Sequence, residues 1–324
     1  MPASQPFNPR STVQEIHVAR MPGYSTAANA DNTAAFEAAV AEALAGDYSE
    51  PGGTAGVGRV VRLPPGTTWI QPVTISLSNP YEGISIVGSD NYPGAAASVL
   101  SKVASSGTDP LITIDNNGNS WWTSAGRIEN VKFIDPTTQG GDGLYINHTS
   151  YWRIVNCTFW GFAKGLNLNQ SFTNLVDCCH FEANTTGVYV GSGCHNNTFR
   201  NTTVIWNTTQ GYYLAGGFGI CIDKCDLEQN GSYGIVLDGA TSVKLRDIYS
   251  EGNATYVVWQ KQTGASYRVK IDGLWTIGTT GSGDGNFRFG ASTVAVLDFC
   301  EHLLGAPTVT NDGGATITKT NCTF

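Results

Sequence analysis

Two short phrases, DLEQN (Asp226–Asn230) and YSEGN (Tyr249–Asn253), set Glu228 and Glu251 23 residues apart, and they belong to a longer series. Aligned on these phrases, the chain divides into lines beginning at Arg153, Asn174, Asn197, Ile220, Val243 and Val269, spaced by about 22 to 26 residues. Each line holds a short alternating strand, a polar bend with Asn or Gly, and a second alternating strand. A fixed period in the low twenties with this content is the mark of a β-solenoid, in which each coil buries its apolar face only by stacking on its neighbours. Period-two alternation and few strong helix formers exclude helical repeats. Composition agrees: 39 glycines and only 14% charged residues suit many tight turns, while 41% apolar residues are too many for a disordered chain.

The register assigns faces. Cys157, Cys179, Cys225 and Ile248 share one column, and Phe159, Phe181, Leu227 and Ser250 another two residues on. Side chains two apart on a strand share a face, so both columns are expected to point inward and stack coil on coil. The second strands add Leu166 and Leu168, Val188 and Val190, and Ile235 and Leu237 to the core. Asn156, Asn201, Asn184, Asn230 and Asn253 fall at bends, where an amide side chain satisfies turn backbone and tolerates left-handed dihedrals. The cysteines are expected to be free and buried, in keeping with folding in a reducing cytoplasm. No paired CxxC spacing suggests zinc.

The beginning of the chain differs. NADNTAAFEAAVAEALAG reads as an amphipathic helix near residues 31–45, capped by Asp31 or Asn32, with Phe36, Val40 and Leu44 on one stripe and a stop at Gly46. GRVVRLPPGTTWI and GISIVGSDN follow as strand, turn and strand. From Asp31 to Asp90 this succession resembles the opening of the pectate-lyase-like superfamily of right-handed parallel β-helices, in particular its bacteriophage tailspike branch. The resemblance implies an all-β, single-stranded right-handed parallel β-helix whose N-terminal helix covers the open end of the solenoid. It also implies a phage-type spike that binds, and as a glycoside hydrolase or polysaccharide lyase cleaves, bacterial surface polysaccharide. A homotrimer at the virion surface goes with that resemblance. Two other readings stay open: a non-enzymatic decoration or glycan-adhesion spike, and a stand-alone bacterial polysaccharide lyase or epimerase.

Candidate chemistry follows from the outward columns. Between the inward Cys and Phe columns stand Thr158, His180, Asp226 and Tyr249, and at the strand ends Trp160, Glu182, Glu228 and Glu251. Strands one coil apart lie about 4.8 Å from each other, so Glu228 and Glu251 are expected side by side and Glu182 about 10 Å from Glu228. Glycosidases use two carboxyls, about 5 to 5.5 Å apart for retention or about 6.5 to 9.5 Å for inversion. Glu228, Glu251, Asp226 and Glu182 are therefore the catalytic candidates. His180, Tyr249, Trp160, Trp206, Tyr189 and Tyr213 are expected to bind sugar, the aromatic ones as platforms. Arg268 and Lys270, in YRVKIDG, are only loosely similar to the basic motif of polygalacturonases, whose companion Asp-rich motifs are absent.

The remaining expectations are negative or concern organisation. No dinucleotide, Walker, zincin or nucleophile-elbow motif appears, so neither a cofactor nor a metal is expected. A net charge of −8 without basic runs argues against nucleic acid, and no apolar run reaches the roughly 20 residues that cross a bilayer. The first residues carry no apolar stretch of a secretory leader, which suggests assembly in a host cytoplasm. Residues 1–25 read as an arm that attaches to another virion protein, and residues 26–324 as one β-helix domain with a short C-terminal cap near 303–324.

Overall fold

The computed structural model describes residues 14–45, 59–78, 83–89, 97–104, 107–116, 125–137, 140–261, 267–277, 286–290, 293–302, 308–312 and 315–322. Its strands pair in parallel, each with the corresponding strand one coil away, for example Arg153–Val155 with Leu175–Asp177 and Thr158–Trp160 with His180–Glu182. A typical coil carries three strands. The first two, such as Leu175–Asp177 and His180–Glu182, share one folded nineteen-stranded sheet; the third, such as Thr186–Val190, joins a ten-stranded sheet. They form the first, second and third faces of the solenoid.

Corners are single residues with positive φ. Between the first and second faces these are Asn156, Cys178, Asn201, Lys224, Asp247 and Gly273, and between the second and third Ala183, Trp206, Gln229 and Gly252. One left-handed residue turns the chain through each corner without consuming the pairing of the strands on either side. Just inside the second corner, Asn184, Asn207, Asn230 and Asn253 are fully buried. The backbone N–H of each of the first three donates to the next ladder member's Oδ1, at 3.1, 3.3 and 3.2 Å in turn. Their Nδ2 groups donate to Phe159, Phe181, Val204 and Leu227 carbonyls. The bends expected from Asn are therefore real, and the buried ones form a continuous ladder, which includes Asn207.

The inward columns fill the core. Cys157, Cys179 and Cys225 are 0–2% exposed, and the Phe133–Phe159 and Phe159–Phe181 rings stack at 4.7 and 5.0 Å. Burying each phenylalanine is worth about 1.5–3 kcal/mol. All the described cysteines are free, but Cys178 is exposed and Cys221 and Cys322 are half-buried, so burial holds for the inward column and not for every thiol.

Helix α1 (Thr33–Leu44) packs on Gln14–His17, Val18–Arg20 and Arg59–Arg62. Its buried stripe is Ala35, Phe36, Ala39, Val40 and Ala43; Leu44, expected there, is only partly buried. The helix advances 100° per residue, which brings Ala43 rather than Leu44 under the same stripe as Phe36 and Val40. Asp31 Oδ1 accepts the Thr33 N–H at 3.0 Å, whereas the Asn32 side chain turns back to Ser25. Gly46 lies outside the described residues. Gln14–His17, inside the segment read as an arm, pairs with Arg59–Arg62 as a strand, and Val18 is fully buried. At the other end Val309–Asn311 and Thr316–Thr320 continue the third and first faces.

Candidate functional site

The second face carries the outward residues singled out in the sequence. Its parallel register aligns Thr158, His180, Thr203, Asp226, Tyr249 and Trp275 in one column. A second column aligns Trp160, Glu182, Ile205, Glu228, Glu251 and Ile277. Glu228 and Glu251 are direct neighbours, one coil or about 4.8 Å apart along the axis. Glu182 is cut off from them by Ile205 and bonds instead to His180, Nε2 to Oε2 at 3.2 Å. The outward acids therefore divide into a Glu182–His180 pair beside Trp160 and, two coils on, a cluster of Asp226, Glu228, Tyr249 and Glu251.

The cluster is half-buried, and its carboxyls share too few donors. Asp226 Oδ1 is buried without a hydrogen-bond partner among the described residues. Burial, then the charge of Glu251, drives the Asp226 carboxyl above its usual range, although its contact with Glu228 works the other way. Glu228 is also raised, by burial first and then by the charge and contact of Asp226 and the charge of Glu251. Two carboxyls placed this way hold one proton between them more firmly than either would alone. Tyr249 donates its hydroxyl to Glu251 Oε2 at 2.6 Å; that bond, helped by burial, pushes the phenol up to about 12. The arrangement combines a proton-holding pair with a third carboxyl on the neighbouring strand, the inventory of acid–base catalysis on a glycosidic bond.

Aromatic residues flank this cluster on both sides. Trp206, at the corner one coil before Asp226, is 52% exposed and donates Nε1 to Gln229 Oε1 at 2.5 Å. Trp275, one coil after Tyr249, is 57% exposed and lines a pocket of about 350 Å³ with Lys224, Asp247, Ile248 and Tyr249. Trp275 escaped sequence reasoning, yet it occupies the Tyr249 column of the line that begins at Val269, so extending the alignment by one coil would have found it. Tyr189 and Tyr213 do not join the site. They lie on the third face, stacked on each other at 5.5 Å, with Lys164 over the Tyr189 ring and the Tyr213 hydroxyl bonded to Asp238. Both rings lie on the outward side of the third face, a different wall from the acids, where Lys164 sits over Tyr189 and Lys261 over Tyr213. Trp160 lies on the correct face but three coils before Glu228. Among the described residues no three His, Cys, Asp or Glu side chains gather as a metal ion would require.

Comparison with known proteins gives three findings. The sequence family described as "Right handed beta helix region" matches residues 82–255. No curated protein matches the sequence. Among solved structures, ORF18 of Geobacillus virus E2 is similar with a TM-score of 0.71 at 13% identity, over 95% of this chain and 61% of its own. The tailspike protein of Acinetobacter phage vB_ApiP_P1 follows this pattern, with a TM-score of 0.67 at 16% identity over 95% and 59%. The DFA-IIIase of Arthrobacter chlorophenolicus A6 reaches 0.65 at 11% identity, over 95% and 94%. At such identities the likeness is one of fold, and the chain spans about 60% of the length of the two phage proteins.

Proposed function

Because the chain belongs to the right-handed β-helix family, we propose that it is a polysaccharide-binding spike of the tailspike type that cleaves a bacterial surface glycan at the Asp226–Glu228–Glu251 cluster. The observation that carries this reading is the pair of half-exposed tryptophans, Trp206 and Trp275, on either side of three crowded carboxyls. Exposed tryptophan rings are costly to leave in water and are the preferred surfaces for stacking sugars. Four successive coils then span about 14 Å, with aromatic, acid, acid and aromatic in order.

The residues divide the work by their surroundings. The Asp226–Glu228 pair, whose carboxyls are raised by burial and mutual charge, holds the proton that the leaving oxygen needs. Glu251, oriented by Tyr249, stands on the next strand as the carboxylate that attacks or assists at the anomeric carbon. Neighbouring strands favour the close spacing of a retaining enzyme over the wider inverting one. Glu182 and His180, two coils away, bind sugar and take no part in bond cleavage. In keeping with a tailspike, the protein assembles as a homotrimer at the virion surface after folding in the host cytoplasm. Residues before Gln14, which lie outside the described residues, serve as the attachment arm, and the solenoid from Gln14 onward is one domain.

A panel of capsule and lipopolysaccharide preparations tests the reading. A hydrolase releases new reducing ends, a lyase in addition forms an unsaturated product that absorbs in the ultraviolet, and an adhesion spike does neither. Cleavage of some glycan that disappears in Glu228→Gln supports the assignment. Cleavage that persists in Glu228→Gln and Glu251→Gln alike removes the chemistry from this cluster.

A further inference from the structure

Two neighbouring coils near the start of the solenoid turn their second corner differently from the later ones. From Glu182 to Thr186, Ile205 to Gln210 and Glu228 to Tyr233 the chain needs three or four residues to pass from the second face to the third. Between the strand Ser98–Lys102 and Ile112 it takes residues 103–111, and between the strand Val131–Ile134 and Asp142 it takes residues 135–141. Excursions of that length cost chain entropy and carry backbone groups that no strand pairs, so other contacts must hold them.

Lys102 holds both. It closes its strand in register with Ile70, a fully buried residue of the core, and is itself 1% exposed. A lysine in such a place is costly unless each proton of its ammonium finds an acceptor. All three do: Nζ donates to the Gly107 carbonyl at 2.7 Å, to the Asp109 carbonyl at 2.8 Å and to the Gly140 carbonyl. The first two acceptors belong to the excursion that follows Lys102, the third to the excursion one coil on. The two loops also meet directly. Gly141, at φ 92°, passes so close that a Cβ there would stand 2.4 Å from the Thr108 and Asp109 carbonyl oxygens. Asp135, fully buried, braces the second loop by accepting the Thr137 N–H, the Thr137 hydroxyl and the Gly140 N–H. Burial pulls the Lys102 ammonium toward deprotonation, and the charges of Asp135, Asp109 and Asp142 work against it.

We propose that Gly107, Asp109 and Gly140 form a backbone cage for one monovalent cation and that this chain fills the cage with its own lysine, so that the two corners are latched without a free ion. The cage is built as an ion site is: carbonyl oxygens from separate turns converge on a single charge and take the place of its water. Contacts of 2.7 and 2.8 Å are longer than the roughly 2.3–2.6 Å of calcium or the roughly 2.0–2.1 Å of magnesium, and suit an ion of ammonium size. Because the cation is tethered to a strand, it joins one coil's excursion to the next coil's permanently. What the latch secures lies beside Trp160. The Asp135 N–H donates to the Trp160 carbonyl at 3.0 Å, and the Gly141 carbonyl accepts the Ala163 N–H at 2.8 Å, so the second loop rests on the corner that follows Trp160. That shelf flanks the upstream end of the second face whether or not a glycan binds there.

Three measurements on the full chain test this. In the native protein with isotopically labelled lysine nitrogens, one side-chain ammonium should exchange its protons slowly enough to be seen by magnetic resonance at neutral pH, and should vanish in Lys102→Met. The lack of such a signal in the native chain overturns the proposal. Lys102→Met keeps the bulk and removes the donors: hydrogen exchange in peptides covering Gly107–Asp109 and Gly140–Asp142 should quicken about tenfold or more, while peptides covering Asn184 and Asn207 exchange as before. Unchanged exchange in both loops overturns it as well. Lys102→Ala opens the cage. Its thermal midpoint should fall and then recover saturably in ammonium or potassium chloride, but not in tetramethylammonium chloride of equal ionic strength, whose cation is too large to enter. Neither Lys102→Met nor the native chain should show that recovery. A recovery that tetramethylammonium matches reduces the effect to ionic strength, one that calcium alone gives makes the site divalent, and no recovery in any salt leaves no cation site; each of the three sinks the cage. Should Lys102→Ala fail to fold, the native ammonium signal and Lys102→Met still decide the matter.

Discussion

A single side chain in this fold has one of two duties, set by whether it points in or out, and the acids of the second face show how sharply that matters. Glu228 and Asp226 are both raised above the usual carboxylate range, by burial first and then by neighbouring acidic charge, and among the described residues neither forms an ion pair with a cation. Glu228→Gln should therefore lower the rate of cleavage of a recognised glycan about 100- to 10,000-fold, the usual span for a lost acid or base, while binding stays within a few-fold. The same crowding has a consequence for stability. A carboxyl raised in the folded state contributes stability that is fully present below its unfolded pKa and is lost as pH rises through the folded one. Asp226→Asn removes that loss, so thermal unfolding followed from acid to mildly alkaline pH should show the variant gaining on the native protein above the normal carboxylate range. Solvent screening of half-exposed charges limits the gain to about 0.2–1 kcal/mol. A variant that is less stable at every pH would mean that Asp226 is held by a favourable contact. Cysteines divide by direction as well: Cys178 should react quickly with a polar thiol reagent, and Cys157, Cys179 and Cys225 only on unfolding.

Helix, ladder and corner behave as units. The Asn184–Asn207–Asn230–Asn253 ladder joins four coils through side chains with no access to water. Asn207→Ala leaves the Asn184 N–H and the Phe181 carbonyl without their partners, at about 1–3 kcal/mol for each unsatisfied group. An exposed corner residue such as Asn201→Ala loses no buried bond, so denaturant midpoints should separate the two variants clearly. Phe36, with 0% exposure, plugs the open end of the solenoid, and Phe36→Ala should cost about 3–5 kcal/mol. Leu44→Ala, at a half-buried position, should cost much less. Equal losses for both would mean that the helix lies on the coil differently.

For the molecule as a whole, the solenoid sets Arg153 of the first face and Glu228 of the second on different walls while one core supports both. Arg153 and Glu228 lie on different faces and three coils apart, about 14 Å along the axis. Their substitutions to Gln should therefore add in stability to within about 0.3–0.5 kcal/mol. A larger deviation in the double variant would reveal that the faces communicate through the core.

The repeat of about 23 residues was enough to set the coil, the inward Cys and Phe columns, the Asn bends and the adjacency of Glu228 and Glu251, because parallel in-register stacking converts sequence period directly into neighbourhood. Outside the repeat, local signals located the capping helix and the buried Phe36 and Val40, but not the half-buried place of Leu44. What the repeat left open were quantities that depend on the angle between faces. Tyr189 and Tyr213 looked close to the acids because they follow them by few residues, but one left-handed residue at each corner turns those strands onto another wall. Glu182 stands two coils from Glu228 as the period requires, but its bond to His180 appears only in the folded chain. The cage around Lys102, closed by carbonyls of two coils, and the pocket beside Trp275 exist only after coils are stacked. Sequence period determines which residues are neighbours along the axis; the corners, formed by tertiary structure, decide which of those columns face the same solvent.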